Sequence, residues 1–415
     1  MNRVMEASVP QNITHQFTQT FTPEAKLLLL CIPSSFDVQK ANQLIDDGIK
    51  WDYLLRMAYR HNVVPTLYTC LNKTQSDKIP PDTLKELRDV FMFTIQRNLY
   101  LTSELVKLID LLKANEIDVL PYKGPALSMT AFSDLTSRVF GDLDLILHKK
   151  DILKAKSLLA EHGFYPLENY TPSQEKALLE LNHAYELHRK KGEVTIELHW
   201  QITDTYFDSP LKPDDLWKSL GEVELGNKKV DDLSLENMLI VLCIHGGWHR
   251  WVGLKWVYDI VGILHQHAEI IRWDKVIEIA DNLKSRRILL LGLLMATRIA
   301  DVALPASITE LLSEDEEVKA LADEAYSKLF IDTDKPLDDP EASRFFRFHY
   351  RLQSGIWNRL RYTVICVMTP TVEDWTAIQI PDRFTFLYYV FRPIRLMSKY
   401  LRRLMPNYKK AQLNI

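Results

Sequence analysis

Several features are scarce in this 415-residue chain, and each scarcity argues against a class of protein. The four cysteines lie far apart and form no CxxC pair, which argues against a redox motif or a structural zinc site and favours a reduced, cytoplasmic setting. The first residues lack the apolar segment of a signal peptide, and the longest apolar run, KLLLLCI, is too short to span a bilayer. Only 13 glycines occur, which is typical of a mainly helical chain with few tight hairpins.

The bulk composition is that of a soluble globular protein. Hydrophobic residues make up 47% of the chain and charged residues 26%, and the formal net charge is -4. This charge gives no global attraction to nucleic acid or to an anionic membrane, although local patches are still able to act. A chain of this length exceeds one simple core, so we expect two or three domains.

The periodicity of apolar residues divides the chain into regions. Three- and four-residue spacing predicts helices before about residue 115 and again after about residue 231, with Pro81 and Asp82 starting a long helix or two joined by a kink. Between them the order strand, helix, strand, helix, strand, strand predicts a small α/β domain. The expected fold class is α+β, a central mixed sheet embedded between helical regions. The predicted regions are a flexible leader (1–21), a helical region (22–115), the α/β domain (116–230) and a second helical region (231–415).

Local signals place the elements of the α/β domain. The segment IDVLPYKG reads as a strand that ends in a glycine turn, and a helix with Pro125 at its first position follows. The segment DLDLILH alternates with period two, as a strand does. Asp151 is expected to cap the next helix, and AYELHRKKGEVTIELHW reads as a hairpin that turns at Lys191 and Gly192.

Asp142 and Asp144 stand two positions apart in the strand DLDLILH, so their side chains share one face. Two like charges so placed repel, and the repulsion requires either a cation or a solvated rim. Paired carboxylates that bridge two Mg²⁺ ions are the usual arrangement for phosphoryl chemistry, and Glu197 in TIELHW is the best candidate for a third. The alternative is that both are simply polar positions of a half-buried strand.

The residues just before this strand favour the metal interpretation. The KGP turn stands where a strand ends and a helix begins, where free backbone N–H groups hold phosphate oxygens. Gly124 would let the backbone approach a triphosphate closely, and Lys123 and Arg138 would add charge-assisted hydrogen bonds.

The combination of KGPAL, an arginine, GDLDLIL and IELHW resembles the nucleotidyltransferase superfamily of DNA polymerase beta type. The chain resembles more closely a bacterial family of uncharacterised nucleotidyltransferases, because it also carries the helical segment WDYLLRMAYRHNVVPTLYTCL and the later segment HGGWHRWVGLKWVYDI. The resemblance extends from about residue 40 to about residue 400, and its sharpest motifs lie between about 122 and 260.

The resemblance implies transfer of a nucleotidyl group from a nucleoside triphosphate with two Mg²⁺ ions, or Mn²⁺ in their place. Asp142 and Asp144 match the first two metal ligands of the superfamily, Glu197 matches the third, and Gly124 matches the glycine of the phosphate turn. The chain departs from the pattern at Pro125, where the superfamily usually has serine. The resemblance then implies that phosphate binding relies on Lys123, Arg138 or Ser128.

A second group of candidates lies in the segment HGGWHRWVGLKWVYDI. His245 and His249 share one helix face and so are able to hold zinc, to pack as ordinary helix residues, or to contact the substrate. The resemblance favours contact with the substrate. Lys255 is expected to meet a phosphate, and Asp259 is expected to pair with Lys255 or to hold a group of the substrate. His199, on the same strand face as Glu197, is expected near the metals, whereas His183 and His188 are weaker candidates and Trp256 is a candidate for base stacking.

The carboxy-terminal segment after residue 382 is aromatic and basic, with arginines and lysines at three- or four-residue spacing. One interpretation is an interfacial helix or a docking site for an acidic partner. The other is a final helix with a solvated basic face, which Pro393 kinks or starts.

Together these observations predict a Mg²⁺-dependent enzyme that moves a nucleoside monophosphate, AMP from ATP in the simplest case, and releases pyrophosphate. The acceptor is expected to be a small molecule or a protein or peptide side chain, since no nucleic-acid-binding module or basic groove is evident. The alternative is a nucleotide- or partner-binding protein with little turnover on the same scaffold.

Overall fold

The computed structural model describes most of the chain. The described residues are 21–32, 36–74, 76–167, 170–189, 193–203, 213–330, 342–378 and 380–404. The hairpin turn predicted at Lys191 and Gly192 and the predicted leader up to residue 20 lie outside them.

Helices form the first part of the described chain. Pro81 starts the fifth helix, as the sequence predicts, and this helix runs unbroken for 34 residues, so the alternative of two helices joined by a kink is wrong. The helices of this part are α1 (Pro23–Leu30), α2 (Val38–Asp46), α3 (Trp51–Arg60), α4 (Val64–Thr74) and α5 (Pro81–Ala114).

A mixed five-stranded sheet follows, which confirms the predicted fold class. Its strand order is β1-β2-β5-β4-β3, and only the β2–β5 pair is parallel. Asp151 makes no capping hydrogen bond, contrary to expectation, because a short 3₁₀ turn precedes the helix there. The elements are β1 (Val119–Pro121), α6 (Gly124–Phe132), β2 (Asp142–Leu147), α7 (Ile152–Glu161), β3 (Phe164–Tyr165), α8 (Pro172–Leu181), β4 (Ala184–Arg189) and β5 (Thr195–His199).

A second, antiparallel hairpin closes the β-rich part, and helices make up the rest. This hairpin, strand β3 and helix α8 were not predicted from the sequence. The remaining elements are α9 (Pro213–Leu216), β6 (Leu220–Leu225), β7 (Lys228–Leu233), α10 (Leu235–Trp248), α11 (Leu254–His267), α12 (Trp273–Asn282), α13 (Arg286–Ile299), α14 (Ala306–Glu314), α15 (Glu316–Lys328), α16 (Ala342–Leu352), α17 (Ile356–Met368), α18 (Val372–Ala377) and α19 (Tyr388–Leu404).

Two hydrophobic cores hold these elements together. One joins the amino-terminal helices to the helical region around α10, α11 and α13, and the other joins the sheet to α5, α7 and the start of α19. Tyr122 and Ile146 belong to the first core, whereas Leu143 and Leu145 belong to the second. The sheet is therefore covered on both faces, and its polar side chains are enclosed where β2 and β5 meet the α10–α11 pair. None of the described helices combines the length and the apolar character needed to cross a bilayer.

Candidate active site

A cavity of about 530 Å³ lies between the β2–β5 pair and the α10–α11 pair. Its walls combine carboxylates, cationic groups and aromatic rings, so that oppositely charged groups face the same space. The lining residues that the argument uses are Tyr122, Lys123, Arg138, Asp142, Asp144, His183, Glu197, His199, His245, Trp248, His249, Lys255 and Trp256.

The pairing of β2 with β5 places three carboxylates together. Asp144 stands directly beside Glu197 in the parallel register, and Asp142 lies two residues before Asp144 on the same strand face. The alternate residues of both strands, Leu143 and Leu145 in β2 among them, are buried in the second core. The alternation of polar and apolar side chains that predicted the strand therefore turns all three carboxylates toward the cavity.

Asp144 is the buried centre of the site, with a side chain only 3% exposed. Lys123 donates a hydrogen bond from Nζ to Asp144 Oδ1 over 3.0 Å. His199 Nε2 lies 3.1 Å from Asp144 Oδ1 and 3.0 Å from Glu197 Oε2, so that one imidazole nitrogen joins two carboxylates. The expectation that His199 stands next to the acidic residues agrees with these distances.

These contacts determine how the carboxylates ionise. Burial alone would raise the pKa of Asp144, but Lys123 and His199 outweigh it and hold the pKa well below its ordinary value. Burial likewise opposes ionisation of Glu197, yet His199 lowers the pKa of Glu197. Burial would lower the pKa of His199, but its hydrogen bonds to Asp144 and Glu197 raise it, which favours a protonated imidazole between two carboxylates.

Asp142 differs from the other two carboxylates. Burial first, and then the negative charges of Asp144 and Glu197, raise the pKa of Asp142, and the attraction of Lys123 and Arg138 does not compensate. Asp142 therefore carries the negative charge that the protein's own cations balance least. A bound cation would remove this imbalance.

Arg138 lines the cavity but is held by the protein. Its Nε donates to Asp259 Oδ1 over 2.7 Å and its second nitrogen donates to Oδ2 over 3.1 Å, a bidentate pair between residues 121 positions apart. Asp259 is buried and is not among the lining residues. The structure therefore gives Asp259 the role of orienting Arg138, where the sequence suggested a pair with Lys255 or a contact with the substrate.

The turn between β1 and α6 shows how the predicted phosphate-binding residues are used. Gly124 has φ +55°, a left-handed conformation that glycine adopts without the cost a Cβ atom brings, and a Cβ atom there would lie in ordinary contact, 3.4 Å, with the carbonyl oxygen of Asp142. Ser128 does not line the cavity, because its buried hydroxyl donates to the carbonyl oxygen of Asp134 over 2.7 Å. Of the predicted phosphate ligands, Lys123 and Arg138 reach the cavity, and Gly124 and Ser128 do not line it.

The opposite wall comes from α10 and α11. The His249 ring stacks on Trp256 with centroids 4.3 Å apart, and Lys255 Nζ lies 5.1 Å from the centre of the same indole. His245 meets His249 edge-on at 4.6 Å. Burial, and then the positive charge of Lys123, lower the pKa of His245 well below its ordinary value, so this histidine is neutral. Trp256 is only 4% exposed and already covered by His249, which leaves little room for the predicted base stacking.

Several lining residues were not singled out from the sequence. Tyr122 is fully buried, packs edge-on against His199 with centroids 5.1 Å apart, and lies under Lys123 Nζ at 4.6 Å. Asn62 reaches the cavity from the turn after α3, where it has φ 55°. An asparagine between two segments of helical periodicity is a sequence signal for a turn, because asparagine tolerates the left-handed conformation, but it is no signal for a site. His183, a weak candidate from the sequence, also lines the cavity, whereas His188 does not.

The donor set fits a hard divalent cation. Carboxylate oxygens of Asp144 and Glu197 lie within 4.8 Å of each other, and Asp142 adds a third carboxylate in the same cavity. His199 Nε2 lies close to both, but a protonated imidazole offers no lone pair to a metal. Among the described residues, the groups of three or more ligands with this spacing do not include His245 and His249. The zinc alternative for that pair thus has no third protein ligand in the described chain.

Comparison with known proteins agrees with this chemistry. The profile of the family described as "Uncharacterised nucleotidyltransferase" matches residues 47–301, more than half of the chain, although no curated protein matches. A solved structure of an antigenic nucleotidyltransferase-like protein from Paracoccidioides brasiliensis is similar at 20% identity, covering 47% of this chain and 92% of that one with a TM-score of 0.29. The matched segment contains every lining residue of the cavity. The chain belongs to this family of uncharacterised nucleotidyltransferases.

Proposed function

We propose that the cavity is the active site of a metal-dependent enzyme that transfers a nucleoside monophosphate, AMP from ATP in the simplest case, to an acceptor. The acceptor oxygen forms a bond to the α-phosphorus, the bond from that phosphorus to the bridging oxygen of the β-phosphate breaks, and pyrophosphate leaves. The acceptor proton passes to a base or to water. The observation that carries the proposal is the meeting of Asp142, Asp144 and Glu197 in one cavity that also holds Lys123.

Asp142, Asp144 and Glu197 are the residues that would hold Mg²⁺, because hard carboxylate oxygens suit this ion and their charges are crowded. When bound, the metal supplies activation of the acceptor oxygen and neutralisation of the triphosphate charge. Mn²⁺ has similar ligand preferences and is the alternative.

The protein's own groups have separate roles. His199 holds a proton at Nε2 between Asp144 and Glu197 and so orients both carboxylates. Arg138 presents its remaining guanidinium edge to the cavity from a position that Asp259 fixes. Lys123 balances Asp144 until a phosphate oxygen or a metal competes for one of the partners. Lys255, on the opposite wall, adds a second site for phosphate charge.

The cavity favours a small molecule or a single protruding side chain as acceptor. It is lined by the buried faces of two helices and a sheet, and its opposite wall offers imidazole, indole and ammonium groups as hydrogen-bond donors. A neutral His245 is able to accept a hydrogen bond from a hydroxyl group, which would suit an acceptor with an alcohol function.

A second function, nucleotide or partner binding with little turnover, is favoured by one specific feature. Pro125 follows Gly124 and supplies neither a hydroxyl nor an N–H donor, while Ser128 is committed to Asp134. The phosphates would then be held by side chains alone. This would weaken the orientation of the triphosphate more than its binding.

The two functions are separated by measuring binding and transfer on the same protein. Purified chain is titrated with each of the four common nucleoside triphosphates in Mg²⁺ and in EDTA by calorimetry. The same chain is then incubated with α-labelled and γ-labelled triphosphates and a panel of hydroxyl-bearing small molecules and peptides. Transfer of the α-label without the γ-label, together with released pyrophosphate, is the expected result.

Matched variants test the residue assignment. Glu197→Gln is expected to abolish metal-dependent transfer, whereas Glu186→Gln should leave it unchanged, because Glu186 pairs with Glu197 across β4 and β5 but lies outside the cavity. Metal-dependent binding without transfer to any acceptor would favour the second function. If Asp144→Ala and Asp142→Ala bind Mg²⁺ and nucleotide as the wild type does, the assigned metal site is wrong.

A further inference from the structure

The carboxy-terminal helices direct their charges inward. Asp374 of α18 is completely buried, and it accepts hydrogen bonds from Arg392 and Arg395 of α19. Arg392 also donates to the carbonyl oxygen of Cys366 in α17, so that one guanidinium joins three helices. The polar face of α19 is thus used to attach the helix to the protein.

The opposite face of α19 is therefore apolar and exposed. Val390, Ile394, Met397 and Leu401 follow one another at three- and four-residue spacing, and each is at least half exposed: 57%, 56%, 60% and 51%. An amphipathic helix in a water-soluble protein ordinarily has the reverse orientation, with its apolar stripe against the core.

Helix α17, which packs on α19, repeats the pattern. Trp357 is 78% exposed and Leu360 and Val364 are about half exposed, again at helical spacing, and Phe386 in the turn before α19 is 61% exposed. Isolated exposed apolar residues are common, but rows on two packed helices mark an interaction site. The exposed apolar residues of this surface are Ile356, Trp357, Leu360, Val364, Val367, Met368, Phe386, Leu387, Tyr389, Val390, Ile394, Met397 and Leu401.

The charge of this region identifies the partner. The chain as a whole has a formal net charge of -4, yet residues 355–404 contain eight Lys or Arg residues and only three Asp or Glu residues. Arg392 and Arg395 are paired with Asp374, whereas Arg361 on α17, Arg383 before α19 and Lys399 on α19 are exposed. A second copy presenting the same face in a two-fold contact would bring like charges together, whereas an anionic lipid surface attracts them.

We propose that α17 and α19 bind the protein to the surface of an anionic lipid bilayer, with their apolar rows inserted at the headgroup level and the exposed residues Arg361, Arg383 and Lys399 at the lipid phosphates. Bulky aromatic residues such as Trp357 and Tyr389 suit that depth, since each combines an apolar ring with a polar atom. Trp375 and Tyr388 are buried in the same core as the sheet, so α18 and the start of α19 pack against the sheet whose strands line the cavity. The protein would lie on the membrane and act on an acceptor at or near it.

The test is flotation of the full chain with vesicles. Wild type is mixed with vesicles of phosphatidylcholine alone or of phosphatidylcholine containing phosphatidylglycerol. At least ~10-fold more protein is expected to float with the anionic vesicles, and added salt should reduce this binding. Equal flotation with both compositions, or none with either, would overturn the proposal.

Matched variants test the surface itself. The double variant Ile394→Glu and Met397→Glu on α19, and separately Trp357→Ser on α17, are expected to lose most of the flotation. The control, Met92→Glu and Phe93→Glu, changes two apolar residues of α5 that are 46% and 66% exposed, and should float as wild type does. Circular dichroism and nucleotide binding verify that each variant is folded. Variants on α17 and α19 that float as wild type would contradict the proposal.

Sedimentation of the same proteins tests whether a second copy of the chain, and not lipid, covers the surface. A wild type that is dimeric without lipid, becomes monomeric in the α19 double variant and does not float with anionic vesicles would show that the surface is a contact between copies. That result overturns the lipid proposal. A monomeric wild type that floats supports it.

Discussion

The cavity and the carboxy-terminal helices both bury carboxylates among cations, but the two clusters differ in how well their charges balance. At the carboxy terminus Asp374 meets the guanidinium groups of Arg392 and Arg395, and Glu373 also pairs with Arg395, so that two carboxylates face two guanidinium groups. In the cavity three carboxylates converge, and the pKa of Asp142 is raised because its neighbours are also negative. A balanced cluster stabilises a helix packing, whereas an unbalanced one is a site prepared for a ligand.

The difference extends to the apolar residues. Around the cavity the apolar residues are buried and the polar groups line an enclosed space. At the carboxy terminus the paired charged residues are packed against the protein and the apolar rows are exposed. Each region has a point at which it departs from the usual arrangement of buried apolar groups and exposed charged groups. Those points, three crowded carboxylates and two exposed helix faces, are where we place function.

The largest expected effect comes from Asp142→Asn. Transfer should fall by at least ~100-fold, because one metal ligand is lost. In EDTA the same change should raise the melting temperature, because the crowding of like charges is relieved. Radiolabel transfer and thermal unfolding measure the two effects, and a variant that loses stability in EDTA would show that the cavity charges are balanced after all.

Asp374→Asn should have the opposite effect on stability. Removing this carboxylate leaves Arg392, among the described residues, without a carboxylate partner and Arg395 with only Glu373, which costs roughly 3–5 kcal/mol of unfolding free energy. Its neighbour Glu373 is 68% exposed, and Glu373→Gln should cost no more than about 1 kcal/mol. Denaturant unfolding measures both, and similar losses for the two variants would remove the distinction between the clusters.

Asp232 is another buried carboxylate. It accepts hydrogen bonds from the Thr130 hydroxyl and from the backbone N–H of Leu233, and neither donor is a cation. Burial raises its pKa to about 6. The folded state thus keeps this proton up to about pH 6, whereas the unfolded chain releases it near pH 4, so stability falls as the pH rises between these values.

The variant Asp232→Asn removes that dependence. At pH 8 it should exceed wild type in stability by on the order of 2 kcal/mol, and at pH 4 the two should be equal. Unfolding free energies at both pH values test this. A constant difference across the range would mean that the asparagine acts through packing and not through charge.

The smallest expected effect is that of Gly124→Ala. At φ +55° the new Cβ atom costs about 1 kcal/mol, and it contacts the carbonyl oxygen of Asp142. Transfer should fall several-fold because relief of this strain would move the adjacent Lys123, which is hydrogen-bonded to Asp144. Gly141→Ala, next to Asp142 but with open space around its Cβ position, is the control and should be close to wild type. Equal effects of the two variants would contradict a specific role for the left-handed glycine.

Local patterns predicted much of the molecule. Period-two alternation indicated β2 and β5, and it predicted that Asp142 and Asp144 share one face and that Glu197 and His199 share one face, because that period is a property of the extended backbone. The resemblance to the family implied that the two pairs meet. Proline and glycine signals indicated where α5 and α6 begin. The hairpin β6–β7 and helix α8 were missed, because short elements of mixed polarity carry weak periodicity.

Contacts between distant residues were beyond local patterns. The sequence placed Ser128 and Arg138 at the phosphates, whereas packing turned Ser128 to Asp134 and tied Arg138 to Asp259. The sequence also allowed two interpretations of the basic carboxy-terminal segment, an interfacial helix and a final helix packed on the domain. In the structure, Arg392 and Arg395 of α19 pack inward, and the apolar row of the same helix faces outward.

By itself, the sequence determined which residues share a strand face or a helix face, Asp142 with Asp144 and Glu197 with His199. These are consequences of backbone geometry within a few residues. The parallel pairing of β2 with β5, which brings the two pairs into one cavity, is a long-range contact. Only the tertiary structure decided which cations meet those carboxylates, that Asp142 is left with unbalanced charge, and that the last helix exposes its apolar side. Charge balance and burial depend on groups brought together from far apart in the chain, and no local pattern records them.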